Sequence, residues 1–242
     1  MKMFESFIVE VAKPHRRFFI ALMLLVFFFF LIGFALTLLY VNSQNLSFDL
    51  ATTQKIQNLH SSLFLDLMGF VSIFGAMPYL LIPFSLMLVW LVRRGAREEA
   101  FFLPIVFVAP IVSEISKVII SRPRPEENLV AIYGSFPGYS FPSGHVLFYT
   151  LFFGFVAFLA LALPNVKPIV RPILFTAATL MVILVGISRI YLGAHWPTDV
   201  IAGYLAGSAI LEVLIVLYLK DVYWPKVRKK QQETNYSSEN RH

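Results

Sequence analysis

The sequence predicts an all-α integral membrane protein, a bundle of six transmembrane helices. Of its 242 residues, 58% are hydrophobic and only 14% are charged, whereas a soluble domain has roughly 45–50% apolar and about 25% charged residues. Six apolar stretches reach or approach the ~20 residues that a spanning helix needs. They cover residues 18–41, 76–92, 100–120, 146–163, 173–187 and 200–219. The chain contains no cysteine, which excludes disulfide scaffolds, Cys nucleophiles and Cys-ligated metal sites.

Basic residues orient the predicted bundle. The first span is too long for the apolar core of a signal peptide and lacks a small-residue cleavage site, so we interpret it as a retained helix. Six spans place both termini on one membrane side, together with fifteen of the twenty Lys and Arg residues. The positive-inside rule then predicts a multi-pass protein of the cell membrane, with a cytoplasmic N-terminus (1–17) and a flexible cytoplasmic tail (225–242). The basic residues behind the net charge of +6 are therefore interpreted as lying at the membrane edges, and no nucleic-acid partner is predicted.

The segment between the first two spans, residues 42–75, has its own pattern. Ile56, Leu59, Leu63, Leu67 and Phe70 recur at helical spacing among polar residues, which predicts one or two amphipathic helices lying in the outer interface. An equally favoured alternative is a plain connector packed on the bundle. Within the sixth span, the ionisable Glu212 is interpreted as pairing with Lys220 or with another helix.

Three polar clusters border the predicted spans. The first runs from Lys117 to Pro125 at the end of the third span. Lys117 lies inside a predicted membrane helix, and such a lysine indicates a functional role. The alternatives are that its side chain snorkels to the interface or pairs with Glu114 one turn earlier. The second cluster, Pro142-Ser-Gly-His145, opens the fourth span. It is either a simple helix start or an anion site at a helix N-terminus.

The third cluster extends from Ser188-Arg189 to His195 and Asp199, between the fifth and sixth spans. A His four residues before an Asp across a helix start can bring the imidazole against the carboxylate, as in an activated nucleophile. A structural His–Asp pair is the alternative.

Six spans would place all three clusters on the outer face. Together they supply cationic side chains, a helix N-terminus, two His and one Asp, a combination that suits the oxygens of a transferring phosphoryl group. The outer-face carboxylates have no metal-ligand spacing, so no metal site is predicted. These carboxylates are Asp49, Asp66, Glu126, Glu127 and Asp199.

The clusters resemble the motifs of the type 2 phosphatidic acid phosphatase (PAP2) superfamily, whose phosphate pocket is shared with vanadium haloperoxidases. The family pattern is Lys, six residues, Arg-Pro; then Pro-Ser-Gly-His; then Ser-Arg, five residues, His, three residues, Asp. The sequence matches it in family order, at Lys117 to Arg124-Pro125, Pro142 to His145, and Ser188-Arg189 to His195 and Asp199. The resemblance implies one PAP2-like membrane domain over residues 1–242.

What the resemblance implies chemically is hydrolysis of a lipid phosphate or diphosphate without metal or cofactor. Undecaprenyl diphosphate, phosphatidylglycerol phosphate and phosphatidic acid are the expected substrates. By family analogy His195 is the nucleophile that becomes phosphohistidine, Asp199 orients it, and His145 is the general acid. The phosphate oxygens would be held by Lys117, Arg124, Ser143, Gly144 and Arg189. Arg122 is not a fixed position of the pattern, and we interpret it as a headgroup or surface charge in preference to a secondary contact.

Other functions remain open at this level. A lipid phosphotransferase would pass the same phosphohistidine to a lipid acceptor instead of water. An anionic-lipid transporter or binding protein would use the cationic pocket alone, but the sequence lacks inverted repeats and carries a His–Asp pair that binding does not need. A phosphatase of the same family acting on a soluble substrate is a further alternative.

Overall fold

The computed structural model describes residues 16–59, 61–163, 166–226 and 232, and every regular element in these ranges is helical. These elements include a 3₁₀ turn, Leu103–Phe107, and a π turn, Leu219–Tyr223. The predicted all-α class is confirmed. The predicted N-terminus up to residue 15, and the tail beyond residue 226 apart from residue 232, lie outside the described residues. The helices are α1 (Arg16–Asn42), α2 (Ser47–Gln57), α3 (Ser62–Ile73), α4 (Leu81–Arg93), α5 (Arg97–Phe102), α6 (Val108–Ile120), α7 (Gly144–Ala162), α8 (Val170–Tyr191) and α9 (Pro197–Tyr218).

Five helical stretches of the described chain are long and apolar enough to cross a membrane. The predicted stretch 76–92 is shorter than expected, because residues 74–80 form turns around Pro78 and α4 has only 13 residues. Such a helix is ~20 Å long, against a hydrocarbon core of ~30 Å. Helix length alone therefore supports five of the six predicted spans. These five are Ala21–Asn42, Arg97–Ile120, Gly144–Ala162, Val170–Tyr191 and Pro197–Lys226.

Helix α7 is the centre of the bundle. Helices α8 and α9 pack along it, α6 contacts it at one side, α1 packs on the outside of α9, and α3 packs on α8. Most of α7 is buried, and its aromatic side chains Phe148, Tyr149, Phe152 and Phe155 form the middle of the core. The outer helices expose large apolar side chains along one side. This is the distribution expected of helices that face lipid.

Helices α2 and α3 occupy the segment for which amphipathic helices were predicted. The buried side chains of α2 are polar: Asp49, Thr53 and Gln57, one turn apart along a single face. Gln57 donates to the carbonyls of Ala131 (2.7 Å) and Tyr191 (2.9 Å). The apolar residues Leu59, Leu63, Leu67 and Phe70 are exposed instead. Helix α2 is thus attached to the bundle through hydrogen bonds, whereas α3 also buries the apolar side chains of Met68 and Val71.

The interpretation of Glu212 as an ion-paired residue is wrong. Its side chain is buried, and neither carboxylate oxygen has a hydrogen-bond partner among the described residues. Lys220 does not reach it, because Lys220 lies in the π turn after α9 and is exposed.

Two glycines allow α9 to approach α7 closely. A Cβ at Gly203 would lie 2.9 Å from the carbonyl oxygen of Ser143 and 3.0 Å from Val146 Cβ. One turn later, a Cβ at Gly207 would lie 2.8 Å from Thr150 Cβ and 3.1 Å from a backbone oxygen. Small residues four apart permit this kind of backbone contact in membrane helices. The contact fixes where α7 begins relative to α9.

We therefore predict that Gly203→Ala lowers the free energy of unfolding by about 1–3 kcal/mol, because the added methyl meets backbone that has no flexible end to move. The measurement is thermal unfolding of the purified protein in detergent. Gly69→Ala on α3 is the matched control: a Cβ there meets nothing within 4 Å. It should be neutral or stabilise by about 0.5–1 kcal/mol. Equal behaviour of the two variants would contradict the close packing of α7 and α9.

Candidate active site

Four helix ends meet at one end of the bundle: the ends of α6 and α8 and the starts of α7 and α9. The loop 121–143 crosses between them and is held by Gln57 of α2 and by Arg122. All eight residues that the sequence predicted as site residues lie at these ends or in the adjoining turns. The structure thus brings the three motifs together.

His195 lies in the turn between α8 and α9 and is almost wholly buried. Its Nδ1 is 2.8 Å from the carbonyl oxygen of Ser140. Because a carbonyl only accepts, Nδ1 carries the proton and Nε2 keeps its lone pair. Arg124 Nη1 lies 3.3 Å from that Nε2. His195 therefore presents an unprotonated nitrogen toward a guanidinium group.

The surroundings of His195 favour its neutral form. Burial, followed by the positive charges of Arg189, Arg124 and Lys117, holds the pKa of His195 well below its usual range, against a smaller opposing effect of the Ser140 carbonyl. A neutral imidazole with a free Nε2 is a competent nucleophile near neutral pH.

Asp199 is completely buried, but it does not form the direct hydrogen bond expected with His195. The distance from His195 Nδ1 to Asp199 Oδ2 is 3.7 Å, beyond hydrogen-bonding range although within that of an ion pair. Asp199 Oδ2 instead accepts from the backbone N–H of Trp196 at 2.9 Å, across the first turn of α9. Asp199 Oδ1 accepts from Arg122 Nη1. The carboxylate is fixed beside the imidazole by these other partners.

The interpretation of Arg122 as a headgroup or surface charge is wrong. Its side chain is buried and lies between two carboxylates, those of Asp199 and Asp49. Asp49 comes from α2, and the sequence analysis gave it no role. The polar face that Asp49 shares with Thr53 and Gln57 was the available signal, since a turn-by-turn row of polar residues on a membrane-bound helix indicates inward hydrogen bonding.

The cationic candidates surround His195 from three sides. Arg189, at the end of α8, is buried, with its guanidinium 5.0 Å from the ring centre of Phe136 and one nitrogen donating to Ser72 Oγ. Arg124 donates to the carbonyls of Ala194 (2.5 Å) and Gly138 (3.2 Å). Both guanidinium groups are thus held by protein contacts that fix their direction.

Lys117, on α6, pairs with Glu114 at 2.6 Å, as the alternative interpretation of this residue predicted. Its Nζ also lies close to Gly144, 3.9 Å from where a Cβ would stand. The carboxylate partner is largely exposed while the lysine side chain is mostly buried. Pairing with Glu114 therefore leaves the ammonium group next to the start of α7.

Several donors at this site are buried without an acceptor. The hydroxyl groups of Ser143 and Ser113 and the Nε–H of Arg189 have no hydrogen-bond partner among the described residues. Ser143 is the residue before α7, but its side chain makes no capping hydrogen bond to the first turn of that helix. A buried donor that makes no bond costs about 1–3 kcal/mol, so an arrangement of this kind favours binding of a group rich in acceptor oxygens.

His145 lies in the first turn of α7 with its ring against Gly75, where a Cβ would come within 2.4 Å of the ring carbon Cδ2. It interacts electrostatically with His195 and with the three cations around it. The two imidazoles are therefore exposed to the charges of the same three cations. Within the described ranges, no three His, Asp or Glu side chains are grouped as a metal site would require.

The sequence profile of the PAP2 superfamily matches residues 99–223. An undecaprenyl-diphosphatase from Sulfolobus acidocaldarius is 33% identical over 171 residues, which is 69% of this chain and 77% of that protein. A phosphatidylglycerophosphatase B from Bacillus subtilis is 31% identical over 124 residues, 51% of this chain and 56% of that protein.

Two crystal structures share the fold. A transmembrane PAP2-type phosphatidylglycerolphosphate phosphatase from Bacillus subtilis aligns with a TM-score of 0.67 and 25% identity, over 82% of this chain and 96% of that one. LpxE from Aquifex aeolicus aligns with a TM-score of 0.52 and 24% identity, over 69% of this chain and 94% of that one. Because the superfamily profile spans more than half of the chain and includes every motif residue, the protein belongs to the PAP2 superfamily of membrane lipid phosphatases.

Proposed function

We propose that this protein hydrolyses a lipid phosphate or diphosphate at the outer leaflet through a phosphohistidine formed on His195. The observation that carries the proposal is the free Nε2 of a buried, neutral His195, held 3.3 Å from Arg124 and surrounded by cations. An anionic phosphoryl group attracted by these cations would meet the lone pair of the imidazole.

In the first step, His195 Nε2 attacks phosphorus and the bond from phosphorus to the leaving oxygen breaks. His145 donates a proton to that oxygen, so the lipid alcohol or lipid phosphate departs with this oxygen protonated. Arg124, Arg189, Lys117, Ser143 and the backbone N–H of Gly144 bind the remaining phosphate oxygens. The donors that lack protein partners, Ser143 and Arg189 Nε, would then be satisfied.

In the second step, His145 accepts a proton from water, and the resulting hydroxide attacks the phosphohistidine. The bond from phosphorus to His195 breaks and inorganic phosphate leaves. The positive charge on the phosphorylated imidazole lies 3.7 Å from the Asp199 carboxylate, which favours the charged form electrostatically. We propose that Asp199 acts in this way without a direct hydrogen bond.

The names of the similar proteins suggest the substrate class. They are an undecaprenyl-diphosphatase and phosphatidylglycerophosphatases, so we propose an isoprenoid diphosphate, phosphatidylglycerol phosphate or phosphatidic acid. Exposed apolar side chains on the surrounding helices would hold the lipid tail in the bilayer.

The proposed topology has six crossings. Helix α4 follows Gly75, which packs on His145 at the site. It ends at Arg93, four residues before Arg97 starts α5, whose Glu98 pairs with Lys226 after α9 at 3.1 Å. With the turns before it, α4 therefore extends from the site to the opposite end of the bundle. That opposite end carries Arg93, Arg94, Arg97 and Lys226, which supports a cytoplasmic location for it and an outer location for the site.

We predict that the purified protein releases phosphate from at least one of these lipids, that excess EDTA leaves the rate unchanged, and that vanadate inhibits. Side chains supply the positive charge, and vanadate bound by His195 would imitate the pentacoordinate transition state. The measurement is phosphate release across the lipid panel. Loss of activity in EDTA with recovery on adding Mg²⁺ would refute the metal-independent mechanism.

Replacing His195 and replacing His145 should have different effects on the reaction. His195→Ala should give no phosphoenzyme and no turnover, since the proposed mechanism forms the phosphoenzyme on His195 Nε2. His145→Ala should still form phosphoenzyme, but the rate of that first step, measured in a single turnover, should fall about 10²–10⁴-fold on a phosphate monoester, the usual contribution of general acid catalysis. Its loss on a diphosphate should be smaller, because phosphate leaves more easily than an alkoxide. Equal losses on both substrates would make His145 a phosphate ligand and not a proton donor.

Sidedness can be tested because the chain has no cysteine. Ser135→Cys lies in the loop 121–143, and Ala96→Cys lies between α4 and α5. A membrane-impermeant maleimide added to intact cells should label Ser135→Cys and spare Ala96→Cys until the membrane is opened. Ser135 is preferred to its neighbour Gly134, where a Cβ would contact Phe136 at 2.9 Å. Labelling of Ala96→Cys alone would invert the topology.

A further inference from the structure

Helix α2 contributes a buried carboxylate that contacts Arg122 and the start of α9. Asp49 is completely buried. Its Oδ1 accepts from the backbone N–H and the hydroxyl group of Thr198, each at 2.9 Å, and its Oδ2 accepts from Arg122 Nη2 at 2.6 Å. Thr198 is in the first turn of α9, where backbone N–H groups lack partners within the helix. Asp49 thus caps, from another helix, the turn that carries Asp199.

Arg122 connects Asp49 to Asp199. One end of its guanidinium group pairs with Asp49, and the other donates to Asp199 Oδ1 and to the Thr198 hydroxyl at 2.8 Å. All three charged side chains are buried. Removing one member of such a group leaves a buried charge without its partner, which strongly destabilises the arrangement of the remaining side chains.

The backbone of Arg122 gives a second link to His195. Ser140 donates its N–H to the carbonyl oxygen of Arg122 at 2.9 Å and its hydroxyl to the carbonyl of Pro123 at 3.0 Å. The carbonyl of Ser140 in turn accepts from His195 Nδ1. Arg122 therefore fixes the imidazole through Ser140 and the carboxylate beside it through its own side chain.

We propose that Asp49 and Arg122 are positioning residues of the phosphoryl transfer, and that the buried Asp49–Arg122–Asp199 chain sets both the direction and the charge environment of His195. The inference depends on the proposed role of His195 as nucleophile. It makes α2, outside the matched region 99–223, part of the catalytic apparatus.

The charge of this chain makes the proposal testable. Two carboxylates and one guanidinium group leave one net negative charge behind His195. Asp49→Asn removes that charge, so the imidazolium is less favoured and the pKa of His195 falls. Arg122→Gln removes the positive charge between the two carboxylates, so the imidazolium is more favoured and the pKa of His195 rises. The other charged groups acting on His195 from neighbouring elements stay constant between these variants; they are Lys117 on α6, Arg124 in loop 121–143, His145 on α7 and Arg189 on α8.

The experiment measures kcat, KM and the pH profile of phosphate release from the lipid that the wild type hydrolyses. Both charge variants should lower kcat about 10- to 100-fold, as expected for a misplaced reacting group. Their KM should stay close to that of the wild type, because neither residue touches the substrate. The acid limb of kcat/KM, which reports His195 in the free enzyme, should move to lower pH in Asp49→Asn and to higher pH in Arg122→Gln. The double variant should restore its position without restoring kcat.

Variants that keep the charge separate geometry from electrostatics. Asp49→Glu and Arg122→Lys should lower kcat but leave the acid limb in place. Matched controls are Asp66→Asn on α3 and Lys55→Gln on α2, which make the same charge changes at exposed side chains. They should alter neither kcat nor the pH profile. If Asp49→Asn does not purify as folded protein, the proposal is tested by Arg122→Gln alone, whose acid limb of kcat/KM should move to higher pH.

The outcomes are distinct. If His195→Ala retains turnover, the proposed nucleophile is wrong and the positioning role is overturned with it. If His195→Ala is inactive while the charge variants keep wild-type kcat, only the positioning role is overturned. A loss of kcat in both charge variants with an unmoved acid limb indicates a purely structural role and also overturns the proposal. Opposite shifts with low kcat support it.

Discussion

The geometry of the site depends on the contact of one guanidinium group, that of Arg122, with two buried carboxylates. Two carboxylates in a protein interior repel each other and lose hydration, so each needs a partner of opposite charge to remain ionised. Arg122 supplies that partner for Asp49 and Asp199 at once, and Thr198 supplies further donors. Three separate parts of the chain are joined in this way: α2, the segment after α6 and the start of α9. The contact reinforces the direct hydrogen bonds from Thr198 to Asp49, which also hold α2 against the start of α9.

On the other side of His195 the charges are reversed. Arg124, Arg189 and Lys117 lie near one another in a mostly buried site, and among the described residues only Lys117 has a carboxylate partner there. Their mutual repulsion is tolerated because each is held by local contacts, such as Phe136 for Arg189 and backbone carbonyls for Arg124. A phosphoryl group relieves that repulsion when it binds. Burial, together with the same cations, keeps His195 neutral, so the site that would attract an anion also keeps the proposed nucleophile unprotonated.

Helix packing determines how closely these parts approach. Gly203 and Gly207 let α9 contact the backbone of α7, so that the helix start holding Ser143 and His145 lies beside the turn holding His195 and Asp199. In a membrane, helices gain little from burying apolar surface against each other, and close packing of small residues replaces that driving force. The bundle therefore places the motifs through van der Waals contact, while the buried charges set their orientation.

The sequence by itself determined the all-α membrane class, the family and the eight residues that meet at the site, because long apolar stretches and motif spacing are local properties of the chain. It did not determine the role of Asp49 or the burial of Arg122, since Asp49 is 73 residues away from its partner and no spacing rule links them. It also predicted that the His195 imidazole can lie against the Asp199 carboxylate, and the fold places the two 3.7 Å apart without a hydrogen bond. In the fold, His195 Nδ1 bonds to the Ser140 carbonyl and Asp199 Oδ2 accepts from the Trp196 N–H, so neither group bonds to the other. Only the tertiary structure decides these pairings, because it alone fixes which donors and acceptors come within 3 Å of each other.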